Sequence, residues 1–322
     1  MKESPLFWPA ALKGGTLFVL DETQIPQKEH YIEVKNTSQA VAAIKSMKTR
    51  AFGQLLVVLN TFLLECGRKK CLSQKDLLEH LRQTALELNN SRPTFPFADV
   101  TSMAVGCAMK AFKSGEEIGK AMKAFVTGYL KGIRYRRMER VEKIAGVIKN
   151  GDAVLTHCNV SGELAMAADI CRRQKKDVHF FCTETRPYLQ GAKLTAWELK
   201  RMGAKVTLIA DNAVGNVMAD GLVSKVIVGS DRSCANGDFA NKIGTYQIAV
   251  LAKEFDIPFY VLLQPSRTIK KGADIPVEVR DADELLNYQG RRFIPGDVDA
   301  FYPGFDVVPH KYVTEAITID VS

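Results

Sequence analysis

The chain has 322 residues, of which 46% are hydrophobic and 25% charged, so it can form one large or two medium globular domains and is not disordered. Its net charge of +8, with basic clusters at 67–70 and 134–143, favours an anionic partner, either a phosphorylated metabolite or RNA. Seven cysteines without a CxxC pair argue against a disulfide framework or a zinc knuckle, and no apolar segment reaches the roughly 20 residues of a membrane span. These features predict a soluble cytoplasmic protein.

The first part of the chain is predicted to be mostly helical. Residues 15–33 alternate apolar and polar side chains around a turn-rich middle, which predicts a short antiparallel hairpin. From Ser38 onward, several segments space their apolar residues three and four apart, as amphipathic helices do. We therefore predict an N-terminal domain over residues 1–133, with the domain boundary inside a long helix that covers 136–150.

After residue 151 the pattern changes to alternating strands and helices. Short apolar strands are predicted within the segments 152–158, 177–184, 205–211, 224–231 and 258–264. Amphipathic helices between them indicate right-handed βαβ units in an open parallel sheet with helices on both faces. The sequence thus predicts an α/β fold, with a linker helix and a Rossmann-like catalytic domain over residues 134–322.

Polar residues follow the predicted strands at the edge where parallel sheets bind ligands. The glycine-rich fingerprint of dinucleotide sites is absent after the first of these strands, and so is a P-loop, which argues against NAD, FAD and P-loop nucleotides. The five histidines are scattered without ligand spacing, so no metal is expected either. We expect a site that works without a cofactor.

Two residues at this edge are candidates for chemistry. Cys158 lies where a strand ends and a helix approaches, so backbone N–H groups and the helix dipole can lower the pKa of its thiol. The alternative is a buried, inert cysteine. Asp231 follows an apolar strand, and low-dielectric surroundings would raise the pKa of its carboxyl and suit it to acid–base work. The alternative is a carboxylate that caps the next turn.

A third candidate lies at the start of the following helix. This helix is predicted to begin near Asn241 and Lys242, where an ammonium group and free backbone N–H groups could hold a phosphate. The alternative for Lys242 is an ordinary surface lysine. The sequence therefore predicts an anion site beside the two candidates for chemistry.

One segment at this edge carries a family resemblance. GSDRSCANGDFANKIGTY (229–246) resembles the signature of the methylthioribose-1-phosphate isomerase family, whose fold is shared with regulatory subunits of the eukaryotic initiation-factor guanine-nucleotide exchange factor. Six other segments agree, in family order: LFVLDETQIP (17–26), AAIKSMKTR (42–50), SRPT (91–94), THCN (156–159), ETRPYLQGAKLTAWEL (184–199) and FYPGFDVVP (301–309). The resemblance covers nearly the whole chain.

The resemblance implies an aldose–ketose isomerase of methionine salvage that acts on a 5-substituted ribose 1-phosphate. It implies that Cys158 and Asp231 are the proton-transfer pair, in either an enolate or a hydride-shift route. It also implies five substrate contacts, at Arg50, Arg92, Gln190, Asn241 and Lys242. A homodimer is expected from the same resemblance. No cofactor, metal, nucleic-acid partner or membrane partner is expected.

The chain departs from the family pattern at two loops. Residues 50–54 read RAFGQ where the family has a GAPA loop after its first arginine, and the segment after THCN is one residue longer before its glycine. Aromatic residues beside the two arginines favour an apolar C5 group. They are Phe7, Trp8, Phe52, Phe95 and Phe97.

Three alternatives to this function remain open. The substrate could be S-methyl-5-thioribose 1-phosphate or 5-deoxyribose 1-phosphate, which we prefer, or ribose 1,5-bisphosphate. The chain could be a non-catalytic regulatory subunit, although a scaffold has no physical need for Cys158 and Asp231 at neighbouring strand ends. RNA binding through the basic segment 134–143 is the weakest alternative, because a basic helix face is most often simply solvated.

Overall fold

The computed structural model describes residues 2–93, 95, 97–264, 266, 268–288 and 290–319. Thr94 of the SRPT segment lies outside these residues. The chain forms two compact units. The N-terminal unit is Pro5–Tyr135, and the C-terminal unit is Met1–Ser4 together with Arg136–Ser322. The predicted domain boundary between residues 133 and 134 stays a prediction.

A three-stranded antiparallel sheet begins the N-terminal unit. Its strands, in the order β1-β2-β3, are β1 (Ala10–Lys13), β2 (Thr16–Leu20) and β3 (Tyr31–Val34). Gly14 and Gly15 form the turn between β1 and β2 with positive φ angles, a conformation that glycine adopts without steric cost. The predicted hairpin corresponds to β2 and β3. The additional strand β1 was missed because its sequence, AALK, has little β propensity.

Helices make up the rest of the N-terminal unit, as predicted. They are α1 (Thr37–Lys45), α2 (Ala51–Arg68), α3 (Gln74–Ser91), α4 (Phe97–Ser114) and α5 (Ile118–Val147). The helix α2 is apolar on most of its circumference and supplies the centre of the core, where Leu56, Leu59 and Phe62 are fully buried. The boundary between the two units falls inside α5, a helix of 30 residues.

A six-stranded parallel sheet is the centre of the C-terminal unit. Its strands are β4 (Ala153–Thr156), β5 (His179–Thr183), β6 (Lys205–Ile209), β7 (Lys225–Val228), β10 (Phe259–Leu263) and β14 (Glu315–Thr318). They lie in the order β14-β10-β7-β4-β5-β6, and every neighbouring pair is parallel. The chain proceeds from β4 toward β6 on one side and then returns to β7 on the other, so the strand order reverses between β4 and β7.

Both faces of this sheet are covered. The helices of the C-terminal unit beyond α5 are α6 (Glu163–Arg173), α7 (Ala196–Arg201), α8 (Val214–Ala219), α9 (Thr245–Glu254) and α10 (Asp283–Leu286). Val226 and Val228 of β7 pack in one apolar cluster with residues of α8 and α9. Ile227 lies between them, points to the opposite face by strand alternation and is also fully buried. The predicted α/β fold with a parallel sheet is confirmed.

Smaller elements follow the central strands. A second sheet, in the order β13-β9-β8, is antiparallel, and two further strands form an antiparallel pair. These strands are β8 (Arg232–Ser233), β9 (Phe239–Lys242), β11 (Asn287–Tyr288), β12 (Arg291–Arg292) and β13 (Phe305–Val308). A single π-helical turn, Gly191–Thr195, leads directly into α7. Among the described residues, no helix combines the length and the apolar character that a membrane crossing requires.

A buried ion network ties the end of α5 to the start of α6. Glu163 accepts hydrogen bonds from Arg137 Nε at 2.5 Å and from Arg140 Nη2 at 2.7 Å, and both Glu163 and Arg137 are at most 2% exposed. Burial opposes ionisation of Glu163, yet the two guanidinium charges hold the pKa of its carboxyl below the usual range. The network therefore depends on the carboxylate staying charged.

Replacing Glu163 by alanine is expected to destabilise the protein strongly. The change leaves two buried guanidinium groups without their anion, which typically costs about 3–5 kcal/mol of unfolding free energy. Urea denaturation measures this loss. The matched control is Glu139→Ala, which removes an exposed carboxylate from α5 and is expected to change the free energy by less than about 0.5 kcal/mol. Equal stability of the two variants would contradict the role of the ion network.

Candidate active site

The loop after β4 holds Cys158 in a fixed backbone conformation. Cys158 lies two residues beyond β4 and five residues before α6, and it is 8% exposed. Its backbone N–H donates to Thr185 Oγ1 at 3.0 Å, and its carbonyl accepts from Thr195 Oγ1 at 2.5 Å. The thiol is thus carried by a backbone that is anchored on both sides at the carboxyl edge of the sheet.

The neighbouring His157 has a structural role. Its Nε2 lies 2.8 Å from the carbonyl oxygen of Ile243, which only accepts, so Nε2 carries the proton and Nδ1 accepts from Thr183 Oγ1 at 2.7 Å. Burial lowers the pKa of this imidazole. A side chain on Gly244, whose φ is +102°, would meet the ring at 3.1 Å, so glycine is required there. His157 is therefore a neutral bridge between two loops.

Asp231 emerges from the loop after β7, next to the Cys158 loop. The strands β4 and β7 are neighbours, and a Cβ built on Gly229 would lie 3.0 Å from Val160 Cγ1, so the two loops are in contact. The predicted apolar surroundings of Asp231 are wrong, because this residue is exposed. The strand β7 ends at Val228 and β8 begins at Arg232, so Asp231 lies outside the buried strand.

Asn241 and Lys242 lie on strand β9, and the prediction that they begin a helix is wrong. Pairing of β9 with β13 places Lys242 opposite Phe305 and Asn241 opposite Asp306. The helix α9 begins only at Thr245. Asp306 Oδ2 accepts the N–H of Gly244 at 2.7 Å and that of Tyr246 at 3.0 Å. Two of the N–H groups that were expected to be free for a phosphate are therefore occupied.

Lys242 nevertheless has the properties of an anion site. The residue is 9% exposed, and its ammonium lies 4.7 Å from the ring centroid of Phe305. In the part of the chain that the structure describes, no carboxylate lies within ion-pair distance of this ammonium. The next residue, Ile243, accepts a hydrogen bond from His157 Nε2 at 2.8 Å, so Lys242 lies near the Cys158 loop. A buried cation without an anion is costly, so this position favours an anionic ligand.

Gln190 lies in the loop after β5, the other neighbour of β4. Asp211 fixes this loop, because its carboxylate accepts the N–H groups of Thr185 and Arg186, each at 2.6 Å. Gln190 is 6% exposed, and its Oε1 is buried without a hydrogen-bond partner among the described residues. An unsatisfied buried acceptor typically costs about 1–3 kcal/mol, which a hydroxyl donor of a ligand would recover.

The two predicted arginine contacts belong to the N-terminal unit. Arg50 precedes α2, and its Nε forms an ion pair with Glu22 Oε2 at 2.7 Å. Arg92 Nη1 donates to Gln54 Oε1 at 3.1 Å. Gln54 also donates to the carbonyl of Thr49 at 2.9 Å. The segment 50–54, which departs from the family pattern, forms the start of α2 rather than a loop, and its Gln54 amide connects the two arginine segments within this unit.

The predicted aromatic group divides into two sets. Phe7 and Phe97 are at most 1% exposed and belong to the apolar interior, so their role is packing. Trp8 and Phe52 are partly buried and form an edge-to-face pair with a centroid distance of 5.6 Å. Phe95 is also partly buried and lies 5.1 Å from the guanidinium of Arg92. The second set remains a candidate for contact with an apolar C5 group.

Comparison with known proteins identifies the family. A family model described as the initiation factor 2 subunit family matches residues 53–319. The chain belongs to this family. A Desulforudis audaxviator relative named methylthioribose-1-phosphate isomerase is 37% identical over 341 residues, which cover 99% of this chain and 93% of the relative. The predicted resemblance is confirmed.

Two solved structures share the fold over nearly the full chain. The 5-methylthioribose 1-phosphate isomerase of Pyrococcus horikoshii has a TM-score of 0.86 at 30% identity, covering 99% of this chain and 93% of that one. The translation initiation factor eIF-2B subunit delta of A. fulgidus has a TM-score of 0.83 at 31% identity, covering 97% and 94%. Overall structural similarity therefore does not decide whether this chain is more like the isomerase or the initiation-factor subunit.

Sequence reasoning missed the residues that hold the site residues in place. They are Glu22, Thr185, Thr195, Asp211 and Asp306. All except Asp211 lie inside segments that carried the family resemblance, so membership of those segments was the available signal. Their partners are distant in sequence, and local patterns therefore do not reveal which atoms they bind.

His157 is expected to make the protein less stable as the pH falls below about 6.5. Its folded pKa is below the ordinary value of 6.5, so the unfolded chain binds the extra proton first. The free energy of unfolding that neutral His157 contributes is fully present above about pH 6.5. Below that pH it falls by up to about 1.4 kcal/mol per pH unit. Urea denaturation at pH 7.5, 6.5 and 5.5 measures the slope. His157→Gln should flatten it, whereas the control His179→Gln should not; equal slopes in both variants would contradict this role.

Proposed function

We propose that this chain is an aldose–ketose isomerase that converts S-methyl-5-thioribose 1-phosphate, or its 5-deoxy analogue, to the corresponding ribulose 1-phosphate. The observation that carries the proposal is that Cys158, Gln190 and Asp231 lie on the segments after β4, β5 and β7, while Lys242 ends β9 next to Ile243, which binds His157. An unpaired cation, an unpaired amide oxygen, a thiol and a carboxyl are the groups that such a reaction needs. The name of the 37% identical relative supports the same activity.

The difficulty of the reaction lies in the phosphate on the anomeric oxygen, which prevents ordinary ring opening. Asp231 donates a proton to the ring oxygen as its bond to C1 breaks. Lys242 binds the phosphate, with Arg50 and Arg92 proposed as further phosphate contacts by resemblance. Asn241 and Gln190 orient hydroxyls, so that binding energy holds C1 and C2 in place.

Hydrogen transfer from C2 to C1 then has two balanced routes. In the enolate route, Cys158 takes the proton from C2 and returns it to C1, while the O2 proton returns to Asp231. In the hydride route, hydrogen moves from C2 to C1 with its electron pair, the O2 proton again returns to Asp231, and Cys158 polarises the reacting carbons. Solvent deuterium incorporation at C1 distinguishes the two routes, because only the enolate route exposes the proton to exchange.

A regulatory subunit is the second candidate, since the eIF-2B subunit delta of A. fulgidus has a TM-score of 0.83, close to the 0.86 of the isomerase structure. A scaffold has no chemical need for an ammonium without an anion beside a thiol and a carboxyl at one sheet edge, so this candidate is less favoured. By resemblance we also propose a homodimer, which analytical ultracentrifugation can test. The bisphosphate substrate would need a second cationic group at C5.

A panel of phosphorylated pentoses is expected to identify the substrate. Methylthioribose 1-phosphate and 5-deoxyribose 1-phosphate should give ketose signals in NMR spectra. Ribose 1-phosphate and ribose 1,5-bisphosphate should react more slowly, because their C5 groups are polar and the proposed C5 contacts are aromatic. Turnover of the bisphosphate alone would change the substrate, and turnover of none would favour the scaffold.

Removal of either member of the proposed proton-transfer pair is expected to stop turnover without unfolding the chain. Cys158→Ala and Asp231→Asn should each lower kcat by about 100-fold or more, the range for a lost acid–base group. Cys182→Ala is the matched control, since burial raises the pKa of that thiol to about 12 and makes it unreactive. Asp220→Asn is the control for the exposed carboxylate. Near-normal kcat in Cys158→Ala or Asp231→Asn would remove the mechanism.

Lys242→Met is expected to weaken binding of the phosphate. Loss of one charge-assisted contact of about 1.5–3 kcal/mol should raise KM by roughly 10- to 100-fold. Lys253→Met removes an exposed ammonium from α9 and is the control. An unchanged KM in Lys242→Met would show that the phosphate binds elsewhere.

A further inference from the structure

The backbone around Cys158 is held in a conformation that L-residues rarely adopt. Cys158 has a φ of +65°, and of the seven described non-glycine residues with positive φ, four lie in the loops after β4 and β5. They are Cys158, Ser161, Thr185 and Leu189. Such conformations persist only where the surroundings fix them, and they concentrate at functional sites. The contacts that fix Cys158 are therefore of functional interest.

Two threonine hydroxyls hold the backbone of Cys158 from opposite sides. Thr185 Oγ1 accepts its N–H, and Thr195 Oγ1 donates to its carbonyl oxygen. Both threonines are fully buried. Because the hydroxyls bind the two polar backbone atoms of one residue, they set the direction in which its side chain leaves the main chain.

The Thr185 hydroxyl belongs to a directed chain of hydrogen bonds. Thr183 Oγ1 uses its proton for His157 Nδ1, so it accepts from Thr185 Oγ1 at 3.3 Å. Thr185 Oγ1 in turn accepts from Cys158. Burial keeps these groups from water, and each therefore relies on the next for its hydrogen bond.

The Thr195 hydroxyl also both donates and accepts a hydrogen bond. It donates to Cys158 and accepts from Asn159 Nδ2 at 2.9 Å. Asn159 Nδ2 also donates to the buried carboxylate of Glu198 at 2.6 Å. Thr195 is the last residue of the π-helical turn, an irregularity that is frequent at functional sites. The π-turn thus presents this hydroxyl to the Cys158 loop.

Gly191 allows the π-turn to come this close to the sheet. A Cβ at Gly191 would lie 1.8 Å from the carbonyl oxygen of Thr183 and 2.8 Å from Thr185 Oγ1. Any side chain at position 191 would push the π-turn away from Thr183 and Thr185. The spacing between the turn and the end of β5 is therefore set at backbone level.

We infer that Thr185 and Thr195 are positioning residues that aim the thiol of Cys158 at the substrate. The two threonines bracket Gln190, so the segment proposed to orient substrate hydroxyls is also the segment that fixes the thiol. One segment thus carries both a substrate contact and the hydroxyls that orient the thiol. This inference rests on the proposed function, in which Cys158 acts on C2.

The first test compares Thr195→Val, which keeps the shape and removes the hydroxyl, with Thr195→Ser, which keeps the hydroxyl. Misplacement of a reacting group typically costs about 100-fold in rate, so Thr195→Val should lower kcat by that order. KM should stay near the wild-type value, because Lys242 and Gln190 are unchanged, and Thr195→Ser should restore most of the rate. Thr207→Val is the control for general destabilisation. It removes a hydroxyl on β6 that is hydrogen-bonded to His179 on β5.

The second test measures alkylation of Cys158 by iodoacetamide, with mass spectrometry of the modified peptide. Thr195→Val and Thr185→Val should change its rate several-fold relative to wild type, on the order expected for a reoriented nucleophile. The control Thr207→Val should not. This readout does not need turnover, so an inactive wild-type protein would refute the proposed function and leave this test intact.

Three outcomes would overturn the inference. One is a wild-type kcat and alkylation rate in both valine variants. Another is an equal loss in Thr195→Ser and Thr195→Val, because the hydroxyl would then not be the cause. The last is unfolding of both valine variants while the serine variants at the same positions keep wild-type stability and rate, since the hydroxyls would then serve folding alone.

Discussion

The central position of β4 between β5 and β7 determines where the chemistry of this chain can occur. Parallel strands release their following loops at the same edge, and the loops after these three strands carry Cys158, Gln190 and Asp231. The strand order reverses between β4 and β7, which opens the crevice that ligands use in sheets of this kind. Each loop is then secured by its neighbour, since Thr185 binds the Cys158 backbone and Val160 contacts Gly229.

Some polar groups at this edge of the sheet are fully hydrogen-bonded within the protein and stabilise its loops, whereas others lack a partner in the described part of the chain and are available to a ligand. His157, Thr195 and Glu163 are buried and use their polar atoms within the protein. Gln190 Oε1 and the ammonium of Lys242 are buried or nearly so, yet within the described residues they lack a hydrogen-bond partner and an anion respectively. Folding rarely leaves such groups unpaired without compensation. A ligand with a hydroxyl and a phosphate provides that compensation.

Local patterns in the sequence located the strands and the polar residues at their ends. They could do so because the order of apolar and polar residues within one strand or helix reflects which of its residues are buried. They failed at Asn241 and Lys242, whose pairing partners are Asp306 and Phe305 of β13, more than 60 residues later in the chain. They failed again at Asp231, whose exposure depends on the direction in which the chain turns after Gly229. Hydrophobic periodicity predicts neither which distant strands pair nor the direction in which a loop leaves the sheet.

Asp306 changes how a phosphate would be bound at this edge. Its carboxylate takes the N–H groups of Gly244 and Tyr246, so the start of α9 is already neutralised by an internal anion. Phosphate affinity within this unit then depends on the side-chain charge of Lys242. A lysine ammonium is a point charge that accepts many phosphate orientations, in contrast to the fixed geometry of helix N–H groups. In the proposed function, Asn241 and Gln190 would then select one sugar orientation, because their amides form directional hydrogen bonds.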